Sequence, residues 1–405
     1  MVSIMSMWPE SYKSIWDIKY LDYVVEIRWS KNPFEDYKRL AQEYAQCGYL
    51  ILKDVIESGH NNVKSDMWFF SGIFLMRHSM ELGLKALICR VCSNKKEIQM
   101  HFKECYHDLS KLFLIYCETG ENYLLPAEKK WLIKYLASIE EVDKNSDLFR
   151  FPFEDKFLLQ YRNKFLDNVA VANNMLQGYH LIKKCINCEK YNHEWRFQSE
   201  LRPELLIFAD HGIGNCHLWE PVSDHGFHTK VKGYIETADF IFSVCEQIPL
   251  EERLYPLIFL LRNAIELCLK RLFYAKVEKG VPKHVFSSRR KSHLLKKDLW
   301  KNVCPMLQHY GSENNEGLEI IHIVEARIIE LDALDKKGDR FRYPTSYSLE
   351  YYLNGKKIDV KHVYEYMREV INFFEACDFM LNAASDLEAE MRSYYSDWYN
   401  DWYDY

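Results

Sequence analysis

The chain has 405 residues, a length that favours two domains over a single hydrophobic core. Apolar residues make up 48% of it and charged residues 28%, a composition that excludes an intrinsically disordered protein. The counts of 15 glycines and 11 prolines argue against collagen-like and turn-rich all-β classes, and the net charge of −6 restricts any nucleic-acid site to a local basic patch.

Residues 1–34 are expected to form an N-terminal extension without a targeting signal. They lack a basic region followed by a long apolar run, so we expect no secretory signal, and no stretch of the chain predicts a membrane span. The twelve cysteines are scattered, which favours reduced thiols and a cytoplasmic location. The alternation of residues 23–29 predicts a strand that pairs with a connector in the middle of the chain.

The sequence then repeats itself. Residues 73–88 read IFLMRHSMELGLKALI and residues 258–273 read IFLLRNAIELCLKRLF, with nine of sixteen positions identical. Composition alone gives roughly one identity. The match extends from His107 to His293 and from one Phe-Arg-aromatic-Pro element at residues 149–152 to another at 341–344. We therefore predict two copies of one unit.

Apolar positions recur at helical spacing through both copies, so the predicted fold class is all-α. Glycines, prolines and short apolar runs between the copies predict a small irregular or β connector. The predicted order is the N-terminal extension 1–34, repeat one 35–190, the connector 191–225, repeat two 226–390 and an acidic aromatic tail 391–405.

Arg77, Glu81 and Lys85 form a charged stripe on a helix that is otherwise apolar. A helix that is apolar all round is buried, so this stripe is either buried or lines a cleft. Unpaired charges there are costly, and we expect the repeated histidines and arginines of the same copy to complete each set. The candidate site residues of both copies are Arg77, Glu81, His107, Arg150, Arg262, Glu266, His293 and Arg342.

Each Phe-Arg-aromatic-Pro element is expected to hold its arginine on an extended segment, because proline disfavours a helical residue before it. Two interpretations stay open. The arginines belong to a structural ion network that ties the loop to the helix, or they bind an anionic substrate while a histidine acts as acid or base.

The pattern apolar-Arg-x-x-x-Glu-Leu-x-Leu-Lys-x-Leu, then a loop with His107 or His293, then Phe-Arg-Phe/Tyr-Pro, resembles the HEPN superfamily (higher eukaryotes and prokaryotes nucleotide-binding). The resemblance covers both copies and so most of the chain. It implies two tandem HEPN-like bundles related by pseudo-twofold symmetry, with a site where the copies meet. It commonly implies a metal-independent ribonuclease of a toxin or antiphage-defence system.

The ribonuclease members of that family carry Arg, four to six residues and then His on one helix, and no arginine here is followed by histidine at that distance. Two functions are therefore expected as alternatives. One is an RNA-targeting, metal-independent endoribonuclease that uses the repeated residues instead. The other is a non-catalytic HEPN-like scaffold that binds RNA, a nucleotide or a partner protein.

Residues 283–301 hold seven Lys or Arg and one Asp, a local positive segment in an acidic protein. It is interpreted either as a solvated surface or as a contact with the phosphate backbone of RNA, the expected partner. The candidate RNA-binding residues are Lys283, Arg289, Arg290, Lys291, Lys296 and Lys297.

We expect no metal and no cofactor. Glycine-rich phosphate loops and metalloprotease motifs are missing from the sequence, and Cys185-x-x-Cys188 with His193 lacks a clean second ligand pair for zinc. The aromatic tail, with Trp398 and Trp402 at helical spacing, suits a protein partner, a contact with the basic segment or packing on its own domain. A homo-oligomer also remains an expectation.

Overall fold

The computed structural model describes residues 7–59, 61–119, 121, 123–190, 195–219, 226–244, 247–274, 293–311 and 315–403. This part of the chain is mostly helical, which confirms the all-α class. None of its helices is long and apolar enough to cross a membrane.

Twelve α-helices and two π-helical turns are described. The helices are α1 (Pro33–Glu57), α2 (Phe69–Val91), α3 (Lys95–Cys105), α4 (Leu109–Thr119), α5 (Pro126–Val142), α6 (Asp155–Tyr161), α7 (Asn168–Ile186), α8 (Phe227–Ser243), α9 (Leu250–Leu272), α10 (Lys301–Gly311), α11 (Asn315–Leu334) and α12 (Val360–Tyr403). The π-helical turns, Lys64–Trp68 and Leu295–Trp300, lead into α2 and α10.

Helix starts follow from capping residues. The side chain of Asn32 accepts a hydrogen bond from the backbone N–H of Phe34, and proline occupies the first position of α1. Asp167 caps α7 by accepting from the N–H of Ala170. These side chains satisfy N–H groups that have no partner inside the helix.

The residues divide into two compact units. The main unit comprises Trp16–Leu267 and Leu334–Tyr364, and the C-terminal unit comprises Met1–Ile15, Cys268–Ala333 and Glu365–Tyr405. This division follows spatial contacts, whereas the predicted domains follow the sequence repeat, and those boundaries stay a prediction.

Helix α2 is the centre of the main unit. Every residue from Phe69 to Ile88 is buried, as expected for a helix without a polar face. It packs against α1, α4, α7 and α8. The approach of α1 is close because Gly72 lacks a side chain: a Cβ there would lie 2.8 Å from Cδ2 of Leu52.

Short strands join distant parts of the main unit. Strand β1 (Val24–Glu26) pairs antiparallel with β5 (Lys357–Asp359), while β3 (Phe208–Ala209) and β4 (Cys216–His217) flank β2 (Phe165–Leu166). The predicted pairing of the N-terminal strand with the connector is therefore wrong. The connector strands pair instead with β2, and β1 takes a partner just before α12.

The C-terminal unit packs α10, α11 and most of α12 around Trp300 and Phe374, both buried. Inside it, the guanidinium of Arg327 pairs with the carboxylate of Glu369 at 2.6 Å, and Lys13 reaches the same carboxylate at 2.9 Å. Between residues 382 and 395, α12 carries no buried side chain, and the side chains of Tyr394 and Tyr395 are exposed.

Candidate functional site

The charged stripe of α2 lies inside the main unit. Arg77 and Glu81 have no exposed surface, and Lys85 is buried as well. Because an unpaired buried charge is unstable, these groups are held only if each has a partner of opposite charge. Their partners come from α2 itself, from the loops after α3 and α5, and from Tyr343 of the second Phe-Arg-aromatic-Pro element.

The Glu81 carboxylate is the shared acceptor of this network. It lies 2.7 Å from the Lys85 ammonium, 2.9 Å from the Arg77 guanidinium and 3.1 Å from Nδ1 of His107. The hydroxyl of Tyr343 donates to it at 2.7 Å. Burial alone raises the pKa of Glu81, but the charges of Lys85, His107 and Arg77 and the hydrogen bond from His107 hold it well below its usual value.

Asp143, which the sequence analysis did not select, is the second anchor of Arg77. Its carboxylate lies 3.1 Å from Nε of Arg77 and also accepts from the backbone N–H groups of Asp147 and Leu148. Burial raises the pKa of Asp143, and the charge of Arg77 opposes that rise. The carboxylate thereby links α2 to the loop that carries Arg150.

The second copy repeats this arrangement. Arg262 pairs with Glu266 at 2.5 Å and with Asp335 at 3.9 Å, and Asp335 accepts from the backbone N–H groups of Asp339 and Arg340. Asp-Lys-x-x-Asp precedes Phe-Arg-aromatic-Pro by the same spacing in both copies. That spacing is the signal from which Asp143 and Asp335 could have been found.

The arginine-bearing elements are turns rather than extended segments. The backbone N–H of Arg150 bonds the carbonyl of Asp147, and that of Arg342 bonds the carbonyl of Asp339. The preceding loops each contain a left-handed residue, Ser146 with φ of 59° and Gly338 with φ of 70°. The backbone of each arginine is therefore held in place by hydrogen bonds within its own loop.

The two elements contact the opposite copy, which corrects the expectation that each arginine completes its own set. Nε2 of His78 on α2 donates to the carbonyl of Arg342 at 2.8 Å. Asn263 occupies the equivalent position of α9, and its Nδ2 donates to the carbonyl of Arg150 at 3.5 Å. Spacing along the chain cannot distinguish this exchange from contacts within one copy.

Arg150 is buried and its guanidinium makes a hydrogen bond to Oδ1 of Asn263 at 3.3 Å. It also lies within 6 Å of the ring centroids of Phe74, Phe151 and Phe259. Burial, and then the charge of Arg342, lower its pKa to about 10. Aromatic ring faces attract a cation in such a position, so the positive charge of Arg150 is stabilised by buried rings rather than by water.

His107 is the member of the first set that reaches the surface, with 23% of its side chain exposed. It follows Tyr106, whose φ of 52° places a bulky residue in the left-handed region. Tyr106 is 59% exposed and lies edge-on to Tyr347, with ring centroids 5.7 Å apart. A partly exposed imidazole therefore adjoins the ring of Tyr106, which in turn packs edge-on against Tyr347.

Burial lowers the pKa of His107, although Glu81 opposes this shift. The nearby charges of Lys85 and Arg342 act in the same direction as burial. At neutral pH the ring is therefore neutral, with Nδ1 directed at Glu81. His293 of the second copy is half-buried, in the C-terminal unit.

Four of the six candidate RNA-binding residues, Lys283, Arg289, Arg290 and Lys291, lie outside the described residues. Lys296 and Lys297 are described; they lie on the π-helical turn Leu295–Trp300 and both are exposed.

The cysteine and histidine residues considered for zinc do not form a described cluster. Cys185 is buried, Cys188 is exposed and accepts a contact from Arg90 at 3.0 Å, and His193 lies outside the described residues. Over the described ranges, a different group has ligand atoms close enough together to hold a metal ion: Cys92, Glu97 and His101.

Comparison with known proteins gives no match: no family model, no curated protein and no solved structure is found to be similar to this chain.

Proposed function

We propose that this chain is a HEPN-like RNA-targeting protein that cleaves RNA without a metal ion, with His107 as the general base. The observation that carries the proposal is the pair of Glu81 and His107. A buried, ionised carboxylate accepts from Nδ1 and so fixes the tautomer, while the opposite nitrogen, Nε2, is left to take a proton. The neutral state of the ring at neutral pH suits that role.

The chemistry follows from the requirements of RNA cleavage. The 2′-oxygen of a nucleotide attacks the adjacent phosphorus as its proton passes to Nε2 of His107, and the bond from phosphorus to the 5′-oxygen breaks. The leaving oxygen takes a proton from water. Lys85 and Arg342, whose charges act on His107, supply a positive field for the developing negative charge on the phosphorane.

The surroundings of His107 support an RNA substrate. Tyr106 and Tyr347 offer rings on which unpaired bases can stack, and stacking on aromatic side chains is the common mode of single-strand binding. Lys103 and Lys111, both exposed, flank the histidine in sequence and can contact phosphates. The strained backbone of Tyr106 is of the kind that concentrates at functional sites.

The tandem, pseudo-twofold arrangement of two HEPN-like bundles is part of the same proposal. It is supported by matching ion pairs in both copies and by the exchanged contacts of His78 with Arg342 and of Asn263 with Arg150. Such an exchange is expected where two copies of one unit meet. An effector of a toxin or antiphage-defence system is the biological setting that the family resemblance implies.

A second candidate function is a non-catalytic HEPN-like scaffold that binds RNA, a nucleotide or a partner protein. Burial favours it, because Arg77 and Glu81 are paired inside the core and cannot touch a ligand without rearrangement. The exposed tyrosines of α12, Tyr394 and Tyr395, suit a protein partner of this kind.

The test is cleavage of mixed single-stranded RNA in the presence of EDTA by the wild-type protein, His107→Gln and His322→Gln. His322 is an exposed histidine of α11 and serves as the matched control. Cleavage by the wild type and the control, lost in His107→Gln with folding intact by circular dichroism, supports the enzyme. RNA binding without cleavage in all three proteins supports the scaffold.

A further inference from the structure

The turn between α2 and α3 brings three different metal-ligating side chains together. The thiol of Cys92, the carboxylate of Glu97 and the imidazole of His101 each offer a ligand atom, and these atoms lie within 4.8 Å of one another. All three residues are partly exposed, so an ion has access from solvent. None of them belongs to the Glu81 network or takes part in the proposed cleavage.

Local structure explains the convergence. Glu97 and His101 are four residues apart on α3 and so share one face of that helix. Asn94 caps α3 through the N–H groups of Lys96 and Glu97, and Cys92 is the C-cap of α2, where its N–H bonds the carbonyl of Ile88. Two helix ends therefore fix the three ligand-bearing positions.

The carboxylate is already oriented. The backbone N–H of Ser93 donates to Oε2 of Glu97 at 2.9 Å. A hydrogen bond of this kind, from a group that does not itself touch the metal, holds a ligating carboxylate in place.

The third ligand side chain is the imidazole of His101. Nδ1 of His101 is buried and has no hydrogen-bond partner in the part of the chain that the structure describes. The carboxylate of Glu104 is 3.9 Å away, beyond hydrogen-bond range. A neutral histidine can place the lone pair of this nitrogen on a metal ion.

We propose that Cys92, Glu97 and His101 bind one zinc ion, with water as the fourth ligand, and that this ion clamps the start of α3 to the end of α2. Sulfur, nitrogen and oxygen ligands together suit zinc better than magnesium or calcium, which take oxygen alone. A tetrahedral zinc site needs ligand atoms roughly 3.3–3.8 Å apart. Side-chain rotation closes the remaining gap of about 1 Å.

The sequence carries a signal for this site. Cys89-x-x-Cys92 is followed by Glu97 and His101, a pair spaced for one helix face. Cys89 nevertheless lies outside the group of close ligand atoms. It therefore provides a control thiol one helical turn from the proposed ligand.

The experiment uses the full-length protein, purified anaerobically with a reductant, stripped by chelator and titrated with Zn²⁺ and with Co²⁺. We expect one equivalent of Zn²⁺ and, for Co²⁺, a thiolate-to-cobalt charge-transfer band with tetrahedral ligand-field bands. Cys92→Ser removes the charge-transfer band. Glu97→Gln and His101→Gln each weaken binding more than about tenfold, since even the loss of a group that only hydrogen-bonds to a ligand has an effect of this size.

Cys89→Ser is expected to keep both the stoichiometry and the spectrum. Stoichiometric Zn²⁺ is also expected to raise the melting temperature of the wild type but not that of Cys92→Ser, because an ion that binds only the folded state stabilises it. All variants are checked for folding by circular dichroism before titration.

Three results overturn the proposal. The first is no charge-transfer band in the folded wild type. The second is unchanged binding in a Glu97→Gln/His101→Gln double variant, which indicates a thiol acting alone. The third is binding retained in Cys92→Ser but lost in Cys89→Ser, which assigns the ion to another ligand set.

Discussion

His78 donates its Nε2–H to the main-chain carbonyl of Arg342 at 2.8 Å and so joins the first repeated helix to the second Phe-Arg-aromatic-Pro element. The equivalent position in the second copy is Asn263, which makes the weaker counterpart of this bond to Arg150. Burial of His78 lowers the pKa of its ring to about 3. The imidazole that makes this contact is therefore neutral because it is buried, whereas its counterpart does not titrate.

This asymmetry predicts that His78→Asn reduces the acid sensitivity of the fold. The unfolded chain binds a proton at His78 near pH 6.5 while the folded chain does so only near pH 3, so stability falls as pH decreases between these values. Each such proton is worth about 1.4 kcal/mol per pH unit. Urea unfolding at several pH values across this range gives the free energy of unfolding as a function of pH. The slope of that free energy against pH is expected to be smaller in His78→Asn than in the wild type, by the contribution of one bound proton. Equal slopes in the two proteins contradict the assignment.

Tyr343→Phe is predicted to destabilise the main unit by about 1.5–3 kcal/mol, the usual worth of a hydrogen bond to a charged group. The substitution removes the hydroxyl that donates to Glu81. It introduces the residue type found at the equivalent position of the first copy, Phe151. Tyr347→Phe, at a partly exposed neighbour, is the control and is expected to change the free energy of unfolding by less than about 0.5 kcal/mol. Equal effects of the two substitutions contradict the prediction.

Two buried glutamates on adjacent helices are predicted to respond differently to replacement by glutamine. Glu81 is ionised, so Glu81→Gln leaves Arg77 and Lys85 without their shared partner and costs about 3–5 kcal/mol. Burial raises the pKa of Glu43 to about 8, so it is mainly protonated at pH 7. Glu43→Gln is expected to change the free energy of unfolding at pH 7 by less than about 1 kcal/mol, as measured by urea denaturation.

Lys296 and Lys297 are predicted to contact the RNA backbone. Charge reversal of both, Lys296→Glu/Lys297→Glu, is expected to weaken RNA binding. It is also expected to reduce the slope of log K against log salt concentration by about one for each lost phosphate contact. Lys336 and Lys337 form an exposed pair elsewhere, and their reversal provides the matched control. An identical loss of affinity in both double variants indicates a general charge effect instead.

The helical class and the burial of α2 could be predicted because both depend on periodicity within one segment. Arg77, Glu81 and His107 were placed together by the repeat, and the structure does bring them together. These relationships lie within one segment or occur twice in the chain, so they can be recognised in the sequence.

Contacts that depend on tertiary arrangement were missed. The exchange of the Phe-Arg-aromatic-Pro elements between copies, and the pairing of β1 with β5, join residues whose separation in sequence carries no signal. Asp143 was overlooked because an aspartate in a polar loop is ordinary by composition, although its repeated spacing from Arg150 distinguishes it. The family resemblance stays a prediction.

The most direct test of the central claim is the pH dependence of single-turnover RNA cleavage by the wild type and His107→Gln. With His107 as the base, the rate constant is expected to rise with pH, to inflect below pH 6.5 because burial lowers the pKa of the ring, and then to level off. His107→Gln is expected to lose about 10²- to 10⁴-fold in rate and the acidic limb with it. A folded His107→Gln variant that cleaves RNA at the wild-type rate, with the same pH profile, contradicts the account.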